Sequence, residues 1–141
     1  MQTLVESEQL SELYRLYGVA AHHCCNIEYR IASLLLGPRW KEAKELNQDK
    51  VSEIYEELHT STLGNLLKKY RQHFKFTDKQ LGKMDLVLEK RNYLAHRFFG
   101  NYGIKMEDPK VLAEMILELN ELIMFFQTAS ESLDPHHWQK E

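Results

Sequence analysis

Apolar residues recur at three- and four-residue spacing along most of the chain, which is the period of an amphipathic helix. The pattern predicts a first long helix from about Val5 to Leu36. Its apolar positions are Leu10, Leu13, Leu16, Tyr17, Ala20, Ala21, Cys24, Ile27, Ile31, Leu34 and Leu35. Gly37-Pro38 is expected to end this helix, because glycine is favoured just after a last turn and proline just beyond it.

Capping residues and breaks divide the rest of the chain into further helices. Asp49 is the candidate cap of the second helix, Ser61 or Thr62 caps the third, and Thr77-Asp78 opens the fourth. Pro109 is a favoured first-turn residue for the last. The predicted helices cover about 49–59, 62–74, 78–98 and 109–133, with a polar connector over 39–48, a break at Thr60–Gly64 and a turn cluster at Gly100–Gly103.

No segment alternates polar and apolar residues in the way of a β-strand, and no repeat or linker divides the chain. The predicted fold is therefore all-α. It is a single domain over residues 1–141, an antiparallel bundle of four main helices and one shorter helix. The 141 residues, with 43% hydrophobic and 28% charged, suit one compact core.

The cysteines and the N-terminus indicate the cellular compartment. Cys24 and Cys25 are adjacent, and a disulfide between neighbours would be strained, so two reduced thiols are expected. The opening residues MQTLVESEQL lack the features of a signal peptide, and no apolar run reaches the roughly 20 residues that span a bilayer. We expect a cytoplasmic protein that does not enter membranes.

Charge is distributed unevenly along the chain. Residues 60–105 hold ten basic and three acidic residues, or +7, whereas the remainder holds eight basic and eighteen acidic residues, or −10. The basic middle fits a local site for a polyanion. It fits equally well a set of lysines on solvated helix faces.

Arg91 occupies an unusual position on the fourth helix. On a helical wheel it lies in the middle of the apolar arc, between Val87 and Leu94 on one side and Met84 and Leu88 on the other. A guanidinium is costly to bury unpaired. Arg91 therefore either pairs with an acid, faces a cleft that binds an anion, or extends its head to solvent along the apolar surface.

Two polar stripes accompany Arg91 on the same helix. Asn92 and His96 are four residues apart and share one face, while Lys83, Lys90 and Arg97 form a basic row further round. A single histidine on a helix is more often exposed or structural than catalytic. Arg91, the Asn92–His96 face and the basic row together make this segment a candidate site.

The stretch Glu89–Phe99 resembles the signature of HEPN-domain proteins, in which an arginine, followed by a polar residue that is often asparagine, precedes a histidine by four to six intervening positions. Here Arg91, Asn92 and His96 fill those places with four residues between the first and the last. The resemblance is specific over Arg91–His96 and architectural over most of the chain. It implies a HEPN-like bundle that dimerises through the motif helix.

The resemblance further implies metal-independent cleavage of RNA at the dimer interface, with no cofactor. Arg91 would hold the scissile phosphate, His96 would act as general base or acid, and Asn92 would orient His96 or donate to the phosphate. Lys83, Lys90 and Arg97 would contact the RNA backbone. On a regular helix Arg91 and His96 point about 140° apart, so a symmetric partner would complete each site.

The implied partners are a second copy of the chain, RNA, and a protein antitoxin or regulator of a toxin or defence factor. Some HEPN toxins carry a tyrosine two positions after the histidine, where a partner enzyme modifies them. This chain has Phe98 there, so that mode of control is in doubt.

Two other functions fit the same residues. One function is a catalytically silent HEPN-like module that binds RNA, a nucleotide or a protein. The other is a structural helical oligomerisation protein in which Arg91 pairs with Glu28 or Glu118. His22-His23 and His136-His137 are adjacent pairs, not the spacing with which one helix chelates zinc, so no metal site is expected.

Overall fold

The computed structural model describes the main chain of residues 4–133 and the side chains of residues 8–133. Over this range the protein has six α-helices and no strand, so the predicted all-α class is confirmed. The helices are α1 Leu4–Glu42, α2 Gln48–His59, α3 Leu63–His73, α4 Asp78–His96, α5 Phe98–Tyr102 and α6 Pro109–Ser132, with a 3₁₀ helix at Gly103–Glu107. Within residues 4–133 no helix combines the length and apolar character needed to cross a membrane.

The long helix α1 organises the packing of the others. It lies mainly against α6 and also contacts α2 and α3. Leu13 and Ile31 of α1, and Met115 and Phe126 of α6, are fully buried in one continuous core. Helix α4 contacts α3, α6 and α1, so it has α1 beside one flank and α6 beside another.

The prediction that Gly37-Pro38 ends the first helix is wrong, because α1 continues to Glu42. Gly37 does not adopt the left-handed conformation of a glycine cap. Pro38 removes one main-chain hydrogen bond from the helix. Tertiary contacts compensate, since Trp40 packs against the core and Arg39 makes two hydrogen bonds with Glu57, at 3.1 and 3.0 Å.

The helix starts follow local side-chain chemistry. Of the two candidates Ser61 and Thr62, Thr62 caps α3, and Thr77 caps α4 in a reciprocal arrangement with Gln80. Asp49 is not the cap of α2. Asn47 holds that place, with its side chain accepting the amide three residues on at 2.8 Å. Asp49 lies instead in the first turn, where a carboxylate also favours the helix.

The end of the motif helix differs from the prediction. Helix α4 ends at His96, where the sequence predicted a continuation toward Phe98 and a turn cluster from Gly100. Arg97 leaves the helical conformation with φ −127° and ψ −15°, and Phe98–Tyr102 forms the separate one-turn helix α5. Only Gly103, with φ +52°, has a turn conformation that favours glycine. Phe98, the first residue of α5, is fully buried, so its side chain fixes the start of α5 against the core.

Candidate functional site

Arg91 projects from α4 toward α1 and is partly buried, with 29% of its side chain exposed. Its Nε lies 3.3 Å from a carboxylate oxygen of Glu28, and its Nη1 donates a hydrogen bond to Asn92 Oδ1 at 3.3 Å. Glu28 is one of the two acids that we expected to pair with Arg91 if the chain is a structural oligomerisation protein. The other, Glu118, hydrogen-bonds the hydroxyl of Tyr102.

The guanidinium also borders a small cavity of about 140 Å³ between α1 and α4, here called the Arg91 cavity. Its lining residues are Tyr17, Ala21, Cys24, Cys25, Glu28, Arg91, Leu94 and Ala95. Arg91 and Glu28 are the charged groups in this lining, and the exposed Cys25 and Ala95 mark its solvent side. Arg91 therefore both pairs with an acid and faces a cleft.

The Arg91 guanidinium keeps donors for a ligand. A guanidinium carries five N–H donors in one plane. Within the described part of the chain, Asn92 and Glu28 engage Nη1 and Nε, and Nη2 has no protein acceptor. Such a planar group can bind the two oxygens of a phosphate or carboxylate together.

The two cysteines differ in their surroundings. Both are free thiols, Cys24 buried and Cys25 exposed. Burial raises the pKa of the Cys24 thiol to about 12, against the opposing effect of nearby Arg91. Cys24 is therefore an uncharged wall of the cavity at neutral pH and not a nucleophile.

His96 is the last residue of α4 and is exposed. It makes no hydrogen bond or ion pair with residues 8–133 and does not line the Arg91 cavity. Asn92, expected to orient His96 or to donate to a phosphate, accepts a hydrogen bond from Arg91. Within one chain, Arg91 and His96 thus do not share a cleft, as their angular separation predicted.

Tyr17 connects α1 to the end of the motif helix, which the sequence did not reveal. Its hydroxyl donates to the carbonyl oxygen of Leu94 at 3.0 Å. An uninterrupted helix would give that oxygen the amide of Phe98. Because α4 ends at His96, the Tyr17 hydroxyl takes that place, and Tyr17 also stacks on Phe98 and Phe99.

The predicted basic row lies beside a different cavity. Lys90 and Arg97 line a groove of about 710 Å³ between α4 and α6, and Lys83 lines neither this groove nor the Arg91 cavity. The groove also contains four carboxylates, from Glu89, Glu114, Glu118 and Glu121. Its formal charge is therefore negative, and Lys90 and Arg97 do not border the Arg91 cavity.

Other contacts in the groove involve aromatic residues. The Lys90 ammonium lies 5.2 Å from the centre of the Phe125 ring, a cation–π contact. Burial, together with a hydrogen bond to Glu118, raises the pKa of Tyr93 to about 12, and the same two causes raise the pKa of Tyr102. These phenols remain protonated donors to Glu118 at neutral pH.

Parts of the basic segment are neutralised within the chain. Arg71 contacts Asp85 at 2.5 Å, and Lys69 contacts Glu57 at 3.0 Å. Hydrogen bonds from Arg39 and Lys69 lower the pKa of Glu57 to about 2. The interpretation of this segment as one open polyanion site is weakened, because several of its cations already have carboxylate partners.

Within residues 8–133 no three His, Cys, Asp or Glu side chains are grouped closely enough to hold a metal ion. The His22 and His23 rings contact each other, while His136-His137 lies outside the described residues. Comparisons of the chain with protein-family models, with curated proteins and with solved structures give no match. The HEPN resemblance therefore rests on Arg91–His96 and on the helical architecture.

Proposed function

We propose that this chain is a homodimeric, metal-independent endoribonuclease of the HEPN type, whose active site is composite and built from both copies at the dimer interface. Arg91 of one chain holds the scissile phosphate, and His96 of the partner subunit transfers a proton. The observation that carries the proposal is the Arg91 guanidinium, which borders a cleft and keeps donors for an anion. Such a group stabilises the charge that develops on a phosphate during cleavage.

The surface beside the cavity supports dimerisation. Tyr14, Gly18, Cys25 and Tyr29 of α1 are exposed and uncharged, and on a helical wheel they fall within about 60° of one another. Tyr14 is 58% and Tyr29 is 60% exposed. Aromatic, uncharged surface of this kind is typical of an interface core, and a two-fold axis through it would bring two α1–α4 faces together.

The experiment that tests the proposal is cleavage of labelled RNA by the purified chain in the presence of a chelator. Arg91→Ala and His96→Ala should each abolish cleavage. Matched controls are Arg15→Ala and His23→Ala, which change residues of α1 outside the Arg91 cavity, with His23 on the side of α1 away from the proposed dimer face. Activity that requires added metal, or that survives both motif substitutions, would refute the mechanism.

Mixing the two inactive variants tests the composite site. A mixed dimer of Arg91→Ala and His96→Ala chains contains one site with both residues changed and one intact site. Random exchange of subunits should therefore restore about a quarter of wild-type activity, because half of the dimers are mixed and each has half of its sites. No recovery after verified exchange of subunits would place both residues of a site in one chain.

The ion pair between Arg91 and Glu28 favours a second candidate, a structural oligomerisation protein. In that case Arg91 serves to join α1 to α4, and wild-type protein neither binds nor cleaves RNA. Arg91→Met would then lower the melting temperature with no other consequence. Binding of RNA without cleavage would instead indicate a catalytically silent module.

A further inference from the structure

The Arg91 cavity contains a second chemical group that RNA cleavage could use. Glu28 lines this cavity, keeps 26% of its side chain exposed, and supplies the sole carboxylate that residues 8–133 contribute to the lining. Glu28 lies on α1 one turn after Cys24, outside the Arg91–His96 motif. It is therefore the packing of α1 beside α4 that brings it next to Arg91. Its distance of 3.3 Å from Arg91 Nε places it beside the group that would bind the phosphate.

Metal-independent cleavage by the neighbouring hydroxyl needs two proton transfers. One group removes the proton from the 2′-oxygen as this oxygen attacks phosphorus, and another gives a proton to the departing 5′-oxygen. In the proposed dimer, each Arg91 is paired with one motif imidazole, that of His96 of the partner subunit. The second proton-transfer group has to lie beside the phosphate that Arg91 holds.

We propose that Glu28 is the general base of the reaction and that His96 of the partner subunit is the general acid. This inference rests on the proposed ribonuclease function. The Glu28 carboxylate accepts the 2′-hydroxyl proton while the bond from O2′ to phosphorus forms. The bond from phosphorus to O5′ breaks, and the imidazolium protonates O5′. The products are a 2′,3′-cyclic phosphate and a 5′-hydroxyl end, with no added reactant.

The other polar groups of the cavity are poorly suited to the role of base. Cys24 is a buried, protonated thiol. The Tyr17 hydroxyl is engaged with the Leu94 carbonyl. The amide of Asn92, which contacts Arg91 next to the cavity, has no basic site that titrates in water. Glu28 combines a negative charge, partial exposure and contact with Arg91.

The test compares Glu28→Gln and Glu28→Asp with wild type over a range of pH, with a short oligoribonucleotide and chelator. Glu28→Gln should lower kcat/KM by about 100-fold or more, the usual contribution of a general base. A base acts when deprotonated, so it produces the rising, acid-side limb of the profile, and a general acid produces the falling limb. Glu28→Gln should lose the acid-side limb and keep the falling limb, whereas Glu28→Asp should keep both at a reduced rate.

The control is Glu12→Gln on the same helix, which also removes a carboxylate paired with an arginine, Arg15, at 2.6 Å. It should leave kcat/KM and the shape of the profile unchanged. Melting temperatures of all variants separate catalysis from folding. If Glu28→Gln does not fold, the proposal is judged on Glu28→Ala, whose activity added formate should increase by supplying the missing base.

The outcomes distinguish this inference from the proposed function. A uniform loss of rate with an unchanged profile in Glu28→Gln, or no rescue by formate where Glu28→Ala is used, would overturn the inference and make Glu28 a positioning residue for Arg91. Wild-type cleavage that depends on Arg91 and His96 but not on Glu28 would also overturn it, while the ribonuclease function stands. Absence of any cleavage by wild type would overturn both.

Discussion

Replacing Tyr17 with phenylalanine removes one hydroxyl that joins α1 to the end of the motif helix. The ring contacts of Tyr17 with Phe98 and Phe99, at 6.0 and 4.8 Å between ring centres, remain available to phenylalanine. What disappears is the hydrogen bond of 3.0 Å to the Leu94 carbonyl. The substitution therefore isolates a single interaction at the point where α4 stops.

The expected loss of stability follows from the burial of that bond. A typical hydrogen bond contributes about 1 kcal/mol net, and a fully buried carbonyl left without a partner costs about 1–3 kcal/mol. Because the Tyr17–Leu94 bond is only partly buried, water can reach the carbonyl, so we expect about 1 kcal/mol. With an unfolding entropy of about 2 cal/mol/K per residue, this lowers the melting temperature of the 141-residue chain by about 3 °C.

Thermal unfolding followed by circular dichroism measures this shift, and urea unfolding measures the change in free energy. The matched control is Tyr55→Phe on α2, away from the proposed dimer face, where the hydroxyl makes no hydrogen bond with the described residues and the side chain is exposed. That variant should unfold within about 1 °C of wild type, as expected for an exposed site. Equal melting temperatures for Tyr17→Phe and Tyr55→Phe would refute the assignment of a stabilising cap to Tyr17.

Three further changes test the packing and the electrostatics. Phe98→Ala should lower the free energy of unfolding by about 3–5 kcal/mol, because it empties a fully buried site, and a loss below about 1 kcal/mol in urea would contradict that burial. Glu57, whose pKa is lowered to about 2 by its two cationic partners, stabilises the fold above its unfolded pKa and loses this effect as pH falls toward 2. Glu57→Gln should therefore cost under about 1 kcal/mol at pH 7, since the side chain is exposed, and progressively less as pH falls toward 2. Glu118→Gln should bring the pKa of Tyr93 down from about 12, as followed by NMR of labelled tyrosine, and an unchanged value would exclude Glu118 as a cause.

The helix starts show which parts of the fold could be predicted from sequence. Thr62 and Thr77 cap helices through amides three residues away, so the information is local and the predictions succeeded. The prediction that Gly37-Pro38 ends α1 was wrong because the information that decides it is not local. Proline in a helix interior costs about 3 kcal/mol, a local penalty that the sequence displays. The contacts of Trp40 and Arg39 that oppose it come from residues distant in sequence.

The same distinction applies to the candidate site. Helical periodicity placed Arg91 on the inner side of α4 without reference to any other helix, and the structure confirms its partial burial there. Its partner is 63 positions earlier on α1, and periodicity carries no information about which helix lies opposite. One signal was present, since Glu28 interrupts the apolar series of Cys24, Ile27 and Ile31. An acid in such a series indicates a buried cation nearby.

Charge patterns are subject to a similar limit. Lys90 on α4 and Arg97 just beyond its end line the same groove, but α6 sets three glutamates across from them, so this cationic row does not make a basic surface. At the Arg91 cavity, one guanidinium and one carboxylate cancel, and the carboxylate repels a phosphate. In the proposed dimer, a protonated His96 of the partner subunit would add the positive charge that makes an anion favourable there. A single chain therefore has a guanidinium at the cavity but no net positive charge there, and the proposed pairing of two chains would supply that charge.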